Sequence, residues 1–565
     1  MIRMFFEHHA RKVTSLDGLW DFRIASEEAP FAWISDRPVL VPGAWETLPG
    51  LEMYRGQARY SKAFTLLHPN TVRIVFGGVS HTGTVIVDGK VVGNHNDAFT
   101  PWEVIIPDIE AGQHLLEVEV DNSFGPHSAL HRENDYYTYG GITRPVELQI
   151  IPTVYLDRIY AHSSMDGDGW LLTLRAVVRN LEKTEQQRLV KASVARKAFD
   201  LGMVVIPAGK SVEICSTVRI EGVSAWSAET PFLYFLCVEL FDGETIVDDL
   251  IDRIGFRQIA IRGKELWLNG QAFRLRGYNR HEDHALFGNA LPIEAMMTDL
   301  QILSDMGCNF IRTAHYPNDL RFLDLCDELG FYVWEESHAR GIDFSHPKID
   351  QQIEASTREM LEWHYNRPSI VIWGCLNECD TETEHGQQMY ARVLKQIKDF
   401  DPHRPNTYAT HHRKKDKCLK YADIISLNIY TGGLVDTIAD IAPVIEDLLQ
   451  WIHSEDSAGG RGKPVIMSEF GAEALYGNLH RFRNHWSEEY QAAVLDESLR
   501  VYLNHEDIIG AAIWQFCDCR VTESNFKWRP RTYNNKGTLD EYRRPKMAYE
   551  VVKKRMLEAR ARWGG

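Results

Sequence analysis

The 565-residue sequence has no apolar run near the ~20 residues that a membrane-spanning helix needs. It also lacks low-complexity tracts and short internal repeats, which excludes solenoid arrays and linker-like chains. Met1 to His9 holds no apolar core of signal-peptide length, so no secretory leader is expected there. Positive charge is in deficit: 62 Lys and Arg face 79 Asp and Glu, for a net charge of −17. That field repels nucleic acid and anionic membranes, and any acidic ligand would need a local cation. Cysteine is scarce and odd in number, nine in all. The close pairs Cys375/Cys379 and Cys517/Cys519 do not match zinc-finger spacing, so no structural zinc site is expected. Reduced, mostly buried thiols in a cytoplasmic protein are the expectation.

What is present points to a multidomain globular chain. Hydrophobic content of 44% and charged content of 25% are ordinary for one, and the length exceeds a single core. The first 150 residues alternate in short strands: Leu19–Ile24, Ala58–Leu66, Thr71–Phe76, Thr84–Val87, Val104–Ile106 and His114–Val120. Turn pairs such as Asp88-Gly89 and Ala111-Gly112 separate them, the spacing of an antiparallel sandwich. Trp170–Val178, Leu189–Val194, Val212–Val218 and Phe235–Phe241 repeat the style on an immunoglobulin scale. After Phe256-Arg257 strands and helices alternate. Eight apolar strand candidates follow: Phe273–Tyr278, Asn309–Thr313, Tyr332–Glu335, Ile370–Cys375, Asn406–Ala409, Ile424–Asn428, Val465–Ser468 and Ala511–Phe516. Amphipathic stretches such as Ile293–Met306 and Asn318–Leu329 lie between most of them. Eight such units suit a (β/α)8 TIM barrel; a doubly wound sheet competes, but no Gly-rich phosphate loop follows the first strand. The expected domains are residues 1–152, 153–258 and 259–565.

In a barrel, chemistry gathers at the C-terminal ends of the strands. The fourth candidate runs out in Trp373-Gly374-Cys375-Leu376-Asn377-Glu378 and the seventh in Ser468-Glu469-Phe470-Gly471, so each delivers one Glu to the mouth. Either carboxylate alone reads equally as a first-turn helix residue or an ion-pair partner. Two carboxylates ~5–5.5 Å apart are the apparatus of a retaining glycosidase. The other exits are polar as well: Asn279–Asp283, Arg312–Tyr316, Glu335-Glu336 and Asn428–Tyr430.

These residues carry a resemblance. Arg276–Glu282, Asn309–Pro317, Asn366–Ser369, Trp373–Glu378 and Tyr139–Pro145 are similar to motifs of glycoside hydrolase family 2, over essentially the whole chain. The resemblance implies an N-terminal jelly-roll β-sandwich, an Ig-like β-sandwich and a C-terminal TIM barrel. It also implies Glu378 as acid/base, with a raised pKa, and Glu469 as an ionised nucleophile. Members often assemble as dimers or tetramers, so a homo-oligomer is among the states it allows. No cofactor or metal ion is expected, and the partner is a small-molecule or oligosaccharide substrate.

Within the family the chain looks most like the β-glucuronidases, in Trp486–Gln491, Ile513–Asp518 and above all Asn534-Asn535-Lys536. Asn-Asn-Lys-Gly alone reads as a surface turn. In those enzymes an Asn-x-Lys motif after the eighth strand contacts the substrate carboxylate, which gives Asn534 and Lys536 a role. The resemblance further implies Asn377 at the sugar 2-hydroxyl, Asp135 at distal hydroxyls, Trp514 as a wall and Tyr430 beside Glu469. Plain structural roles for Asp135, Tyr430 and Trp514 stay open. Leu434 stands where many glucuronidases have a second Tyr, and Pro530 replaces an Arg that Arg529 and Arg531 flank. The segment from Glu336 to Arg367 is short, which implies an open aglycone side. The expected activity is hydrolysis of terminal β-D-glucuronides. A β-galacturonidase or dual enzyme, a neutral-sugar hydrolase and a non-catalytic carbohydrate-binding protein are the alternatives.

Overall fold

The computed structural model describes residues 1–25, 33–522 and 528–563; the expected C-terminal limit at residue 565 lies outside them. The N-terminal jelly roll packs two antiparallel sheets. One orders Lys12–Ser15, Val146–Ile151, Asn70–Phe76 and Trp102–Ile109; the other has Gln57–Leu66 and Gly112–Asp121 at its centre. Along Gly112–Asp121 the residues His114, Leu116, Val118 and Val120 are buried, because successive side chains point to opposite faces. Leu116, Val118 and Val120 meet Trp20, Trp45, Val72 and Ile74 in one core. The Ig-like sandwich repeats this on its own core, with Leu172, Leu174, Ala176 and Val178 facing Val190, Leu236 and Val238.

The C-terminal barrel closes. Its first strand, Leu275–Asn279, pairs in parallel with Phe310–Arg312 on one side and with the eighth, Ile508–Ile513, on the other. Tyr332–Glu336, Ile370–Gly374, Ile425–Asn428 and Val465–Glu469 are the third, fourth, sixth and seventh. The fifth is broken at Tyr408: Asn406–Thr407 pairs with the fourth strand and Ala409–Thr410 with the sixth. Residues of the strands divide by alternation. Ile311, Val333, Trp373 and Met467 join the helical shell, while Phe310, Trp334, Ile372 and Ile466 fill the interior down to Trp226 of the Ig-like domain. Buried on both faces, the strands are near-continuous apolar runs. The helices have local reasons to start and stop. Leu320–Leu329 begins where the Asp319 carboxylate accepts from Arg321 N–H at 2.8 Å, and ends at Gly330, left-handed at φ 78°.

Two of the motifs singled out in the sequence are joints between domains. Arg144 donates to Glu282 and to the Pro317 carbonyl, both at 2.7 Å, and the Tyr139 hydroxyl donates to Asp283 at 3.3 Å. These contacts press the first sandwich onto the barrel mouth. Arg367 donates to Asp324 at 2.8 Å and Asp252 at 3.2 Å, while Asn366 donates to the Ile159 carbonyl at 2.9 Å. The second joint thus fixes the Ig-like domain beside the barrel.

Candidate active site

Glu469 ends the seventh strand and is buried; Glu378 lies just beyond the fourth, in the left-handed region at φ 51°. Arg312, fully buried at the end of the second strand, organises both. Its Nη1 donates to Glu469 Oε1 at 2.8 Å and its Nη2 to Asn377 Oδ1 at 2.8 Å. Glu336 anchors the same guanidinium through two 3.0 Å bonds. Asn428 spans the pair from the sixth strand, donating to Glu378 Oε1 at 2.9 Å and to Asn377 Oδ1 at 3.2 Å. The Tyr430 hydroxyl donates to Glu469 Oε2 at 2.8 Å. The donors to these carboxylate oxygens come from the ends of the second and sixth strands.

A second group of charges lines the same mouth. Lys536 is buried, its Nζ 2.8 Å from Glu473 Oε1 and 5.7 Å from the centroid of the Tyr430 ring. Arg529 forks onto Asp135 from the sandwich, with Nε donating at 2.7 Å, and Asn534 Nδ2 donates to Asp135 at 3.1 Å. Trp514 is buried, stacked against His315 with centroids 4.9 Å apart and edge-on to His281 at 5.3 Å. Several buried polar atoms around this mouth have no hydrogen-bond partner among the described residues: Asn377 Nδ2, His281 Nε2, His315 Nε2 and Arg529 Nη1. A buried donor or acceptor left unmade costs roughly 1–3 kcal/mol, so such a set marks a place built for a polyhydroxylated ligand. His315 Nδ1 sits between Glu336 Oε1 at 2.8 Å and Arg312 Nη2 at 3.2 Å, and its Nε2 lies 3.8 Å from Glu469 Oε1.

Comparison with known proteins agrees with this geometry. The family described as glycosyl hydrolases family 2, TIM barrel domain, matches residues 259–560; the sugar binding domain of that family matches 48–152, and its remaining domain 154–257. The chain belongs to glycosyl hydrolase family 2. A β-glucuronidase of Streptococcus agalactiae is 27% identical over 600 residues, covering 97% of this chain and 96% of that protein. Among solved structures, a GH2 β-galacturonidase from Eisenbergiella tayi bound to galacturonate aligns with a TM-score of 0.94 and 43% identity, over 99% of each chain. A β-D-glucuronidase of Dictyoglomus thermophilum aligns at 0.84 and 25%, over 98% of each.

As a family 2 glycoside hydrolase, the chain brings together all eight residues expected at the site. Glu378, Glu469, Asn377 and Tyr430 are tied through Arg312 and Asn428, and Asp135, Asn534 and Lys536 join from the rim. Of the two arginines flanking Pro530, Arg529 turns inward, whereas Arg531 is half-exposed and donates to Glu541 at 2.8 Å. Leu434 is largely exposed, at 55%. No group of three or more His, Cys, Asp or Glu suited to a metal ion occurs among the described residues.

One expectation needs correction. Glu378 was to carry the raised pKa. Instead burial, reinforced by the charge of Glu378, raises Glu469 to about 7. Burial would raise Glu378 too, but Arg340, with Nη2 3.7 Å from Oε2, outweighs it together with His411 and holds that carboxyl below its usual value. The pair interacts, so its proton belongs to both groups rather than to either alone. Lys536, in turn, is not left unsatisfied without an acidic ligand, because Glu473 already pairs with it. Burial first, and Arg529 second, pull its ammonium below the ordinary value against Glu473 and Asp135. Arg340 and Glu473 were the residues that sequence reasoning missed. Arg340 lies in the short aperiodic segment after the third strand, and Glu473 follows Glu469 by four residues with no pattern to mark it.

Proposed function

We propose that the protein is a retaining exo-glycosidase that releases glucuronic acid from terminal β-D-glucuronides. The carrying observation is the buried group Lys536, Arg529 and Asn534 standing beside Tyr430, whose hydroxyl holds Glu469. An acidic chain invests a buried lysine at a glycosidase mouth where an acidic sugar must be recognised. In this reading Glu469 attacks the anomeric carbon while Glu378 gives its proton to the leaving oxygen; Glu378 then takes a proton from water, which frees the sugar from Glu469. Lys536 and Asn534 receive the C6 carboxylate, and Asn377 Nδ2 donates to the 2-hydroxyl. Asp135 takes distal hydroxyls and Trp514 forms the wall under the ring. The catalytic tautomer has the proton on Glu378 and the charge on Glu469.

A panel of chromogenic β-glucuronide, β-galacturonide and β-galactoside tests this. The expected order places both uronides far above the galactoside; a galactoside preference would refute acid recognition. The second reading, a β-galacturonidase or dual enzyme, is favoured by the 43% identity to the galacturonate-bound structure against 25–27% for the glucuronidases named above. It predicts that the galacturonide leads the same panel.

Arg340 supplies a pH test. Replacing it by Gln removes the nearest cation from Glu378, so the carboxyl keeps its proton to higher pH. The alkaline limb of kcat/KM against pH for the uronide is expected to move upward by about one unit. An unmoved limb would deny Arg340 that influence.

A further inference from the structure

Beyond the fifth strand the sequence reads His411-His412-Arg413-Lys414-Lys415, the densest basic run in a chain of net charge −17. Of this run only His411 enters the chemistry above, through its place beside Glu378. The structure puts it at the flank of Glu378: His411 Nδ1 is 3.7 Å from Glu378 Oε1, and the helical turn Arg413–Lys415 follows directly. The run lines one side of an open cleft of about 740 Å³, with Val444 and Leu448 of the helix Ile441–Ile452 on the other side. That is the volume of a ligand-sized cleft.

Position relates the cleft to the reaction. Lys536, Asn534 and Trp514 follow the eighth strand, and Glu469 ends the seventh. The fifth strand stands next to the fourth, which delivers Glu378, and three places round the ring from the eighth. A group that protonates the leaving oxygen has the sugar on one side and the leaving group on the other; the cleft adjoins Glu378 through His411 and shares no lining residue with Lys536, Asn534, Tyr430 or Trp514, which suits the leaving-group side.

Its charges are only partly engaged. Lys414 pairs with Asp447 at 2.7 Å, Arg413 reaches Asp436 only at 3.9 Å, and His412 lies 3.3 Å from Glu382. Lys415 has no acidic partner among the described residues. We propose that this cleft is a leaving-group subsite for an anionic sugar, so that the substrate is the uronic acid end of an acidic oligosaccharide. Arg413 and Lys415 supply the charge, Val444 and Leu448 the apolar surface for a sugar ring, and the short segment after Glu336 leaves the approach uncovered. The assignment rests on the uronidase reading above.

The test compares kcat/KM for three kinds of β-uronide: one with a small neutral chromophore, one with a neutral sugar, and one with an acidic sugar, either carboxylated or sulfated. Wild type is expected to favour an acidic-sugar substrate over the neutral-sugar one by about tenfold at low salt, with the advantage shrinking as ionic strength rises. Arg413→Gln/Lys415→Gln should abolish that advantage and leave the chromophoric substrate unchanged. The carboxylated and sulfated arms show which anion fits. Equal rates on neutral and acidic sugars, or a variant that slows all substrates alike, would overturn the subsite. Failure to cleave the chromophoric uronide would instead refute the glycone reading, and the subsite would fall with it.

Discussion

Glu469→Gln is expected to lower kcat/KM for the preferred uronide by at least ~10⁴-fold, because an amide cannot form the covalent intermediate. The substitution preserves the local hydrogen bonding. Its carbonyl oxygen still accepts from Arg312, and the Tyr430 hydroxyl can accept from the new amide where it now donates at 2.8 Å. Arg312 keeps both bonds to Glu336, so the guanidinium is not stranded. Stability then separates chemistry from folding. Glu469 is raised to about 7 in the folded protein against an ordinary 4.5, so the native state holds an extra proton between those values. The stabilisation this gives is complete below the unfolded pKa and lost as pH rises through about 7. Over that window the wild type should lose stability that the Gln variant does not lose. Thermal unfolding from pH 5 to 8 reads this directly. Residual turnover near the wild-type level would remove Glu469 from the reaction, and a variant destabilised at every pH would make the activity loss a folding effect.

Much of the architecture was legible because burial and hydrophobicity coincide in a parallel barrel. The eight apolar runs mark its eight strands. Their ends were less legible, since a pattern of burial is not a pattern of pairing. Ala511–Phe516 was expected where Ile508–Ile513 is the strand: Trp514 and Phe516 stay buried after the chain has left the sheet. The strand Thr245–Ile254 went unnoticed for the opposite reason. Its Asp248, Asp249 and Asp252 interrupt the apolar pattern, yet all three are buried. Asp248 is paired with Arg11 at 2.7 Å and Asp252 with Arg3 at 2.9 Å. Charges that are satisfied only by residues far away in sequence cannot be told from solvated ones. Arg340 and Glu473 escaped by the same logic. The two glutamates did not, because strand ends place them by topology rather than by partner.

That blind spot bears on Lys536, whose role depends on a partner the sequence did not show. Lys536→Ala is expected to cut kcat/KM for the uronide by ~10²-fold or more, through loss of a charge-assisted contact to the carboxylate. Glu473 offers a second route to the same loss. Without Lys536 its buried carboxylate keeps, among the described residues, only Arg529, 4.0 Å away, and an unpaired anion in the pocket would itself repel an acidic sugar. The double variant Lys536→Ala/Glu473→Gln distinguishes the two. Neutralising Glu473 removes the repulsion and cannot restore a missing cation. If Lys536 receives the substrate carboxylate, the double variant stays as slow as the single one; if it merely neutralises Glu473, activity returns. The β-galactoside provides the other axis. A neutral sugar has no carboxylate to lose, so its slow hydrolysis should change little in either variant, and an equal fall on both substrates would mean that Lys536 supports the pocket without reading the acid.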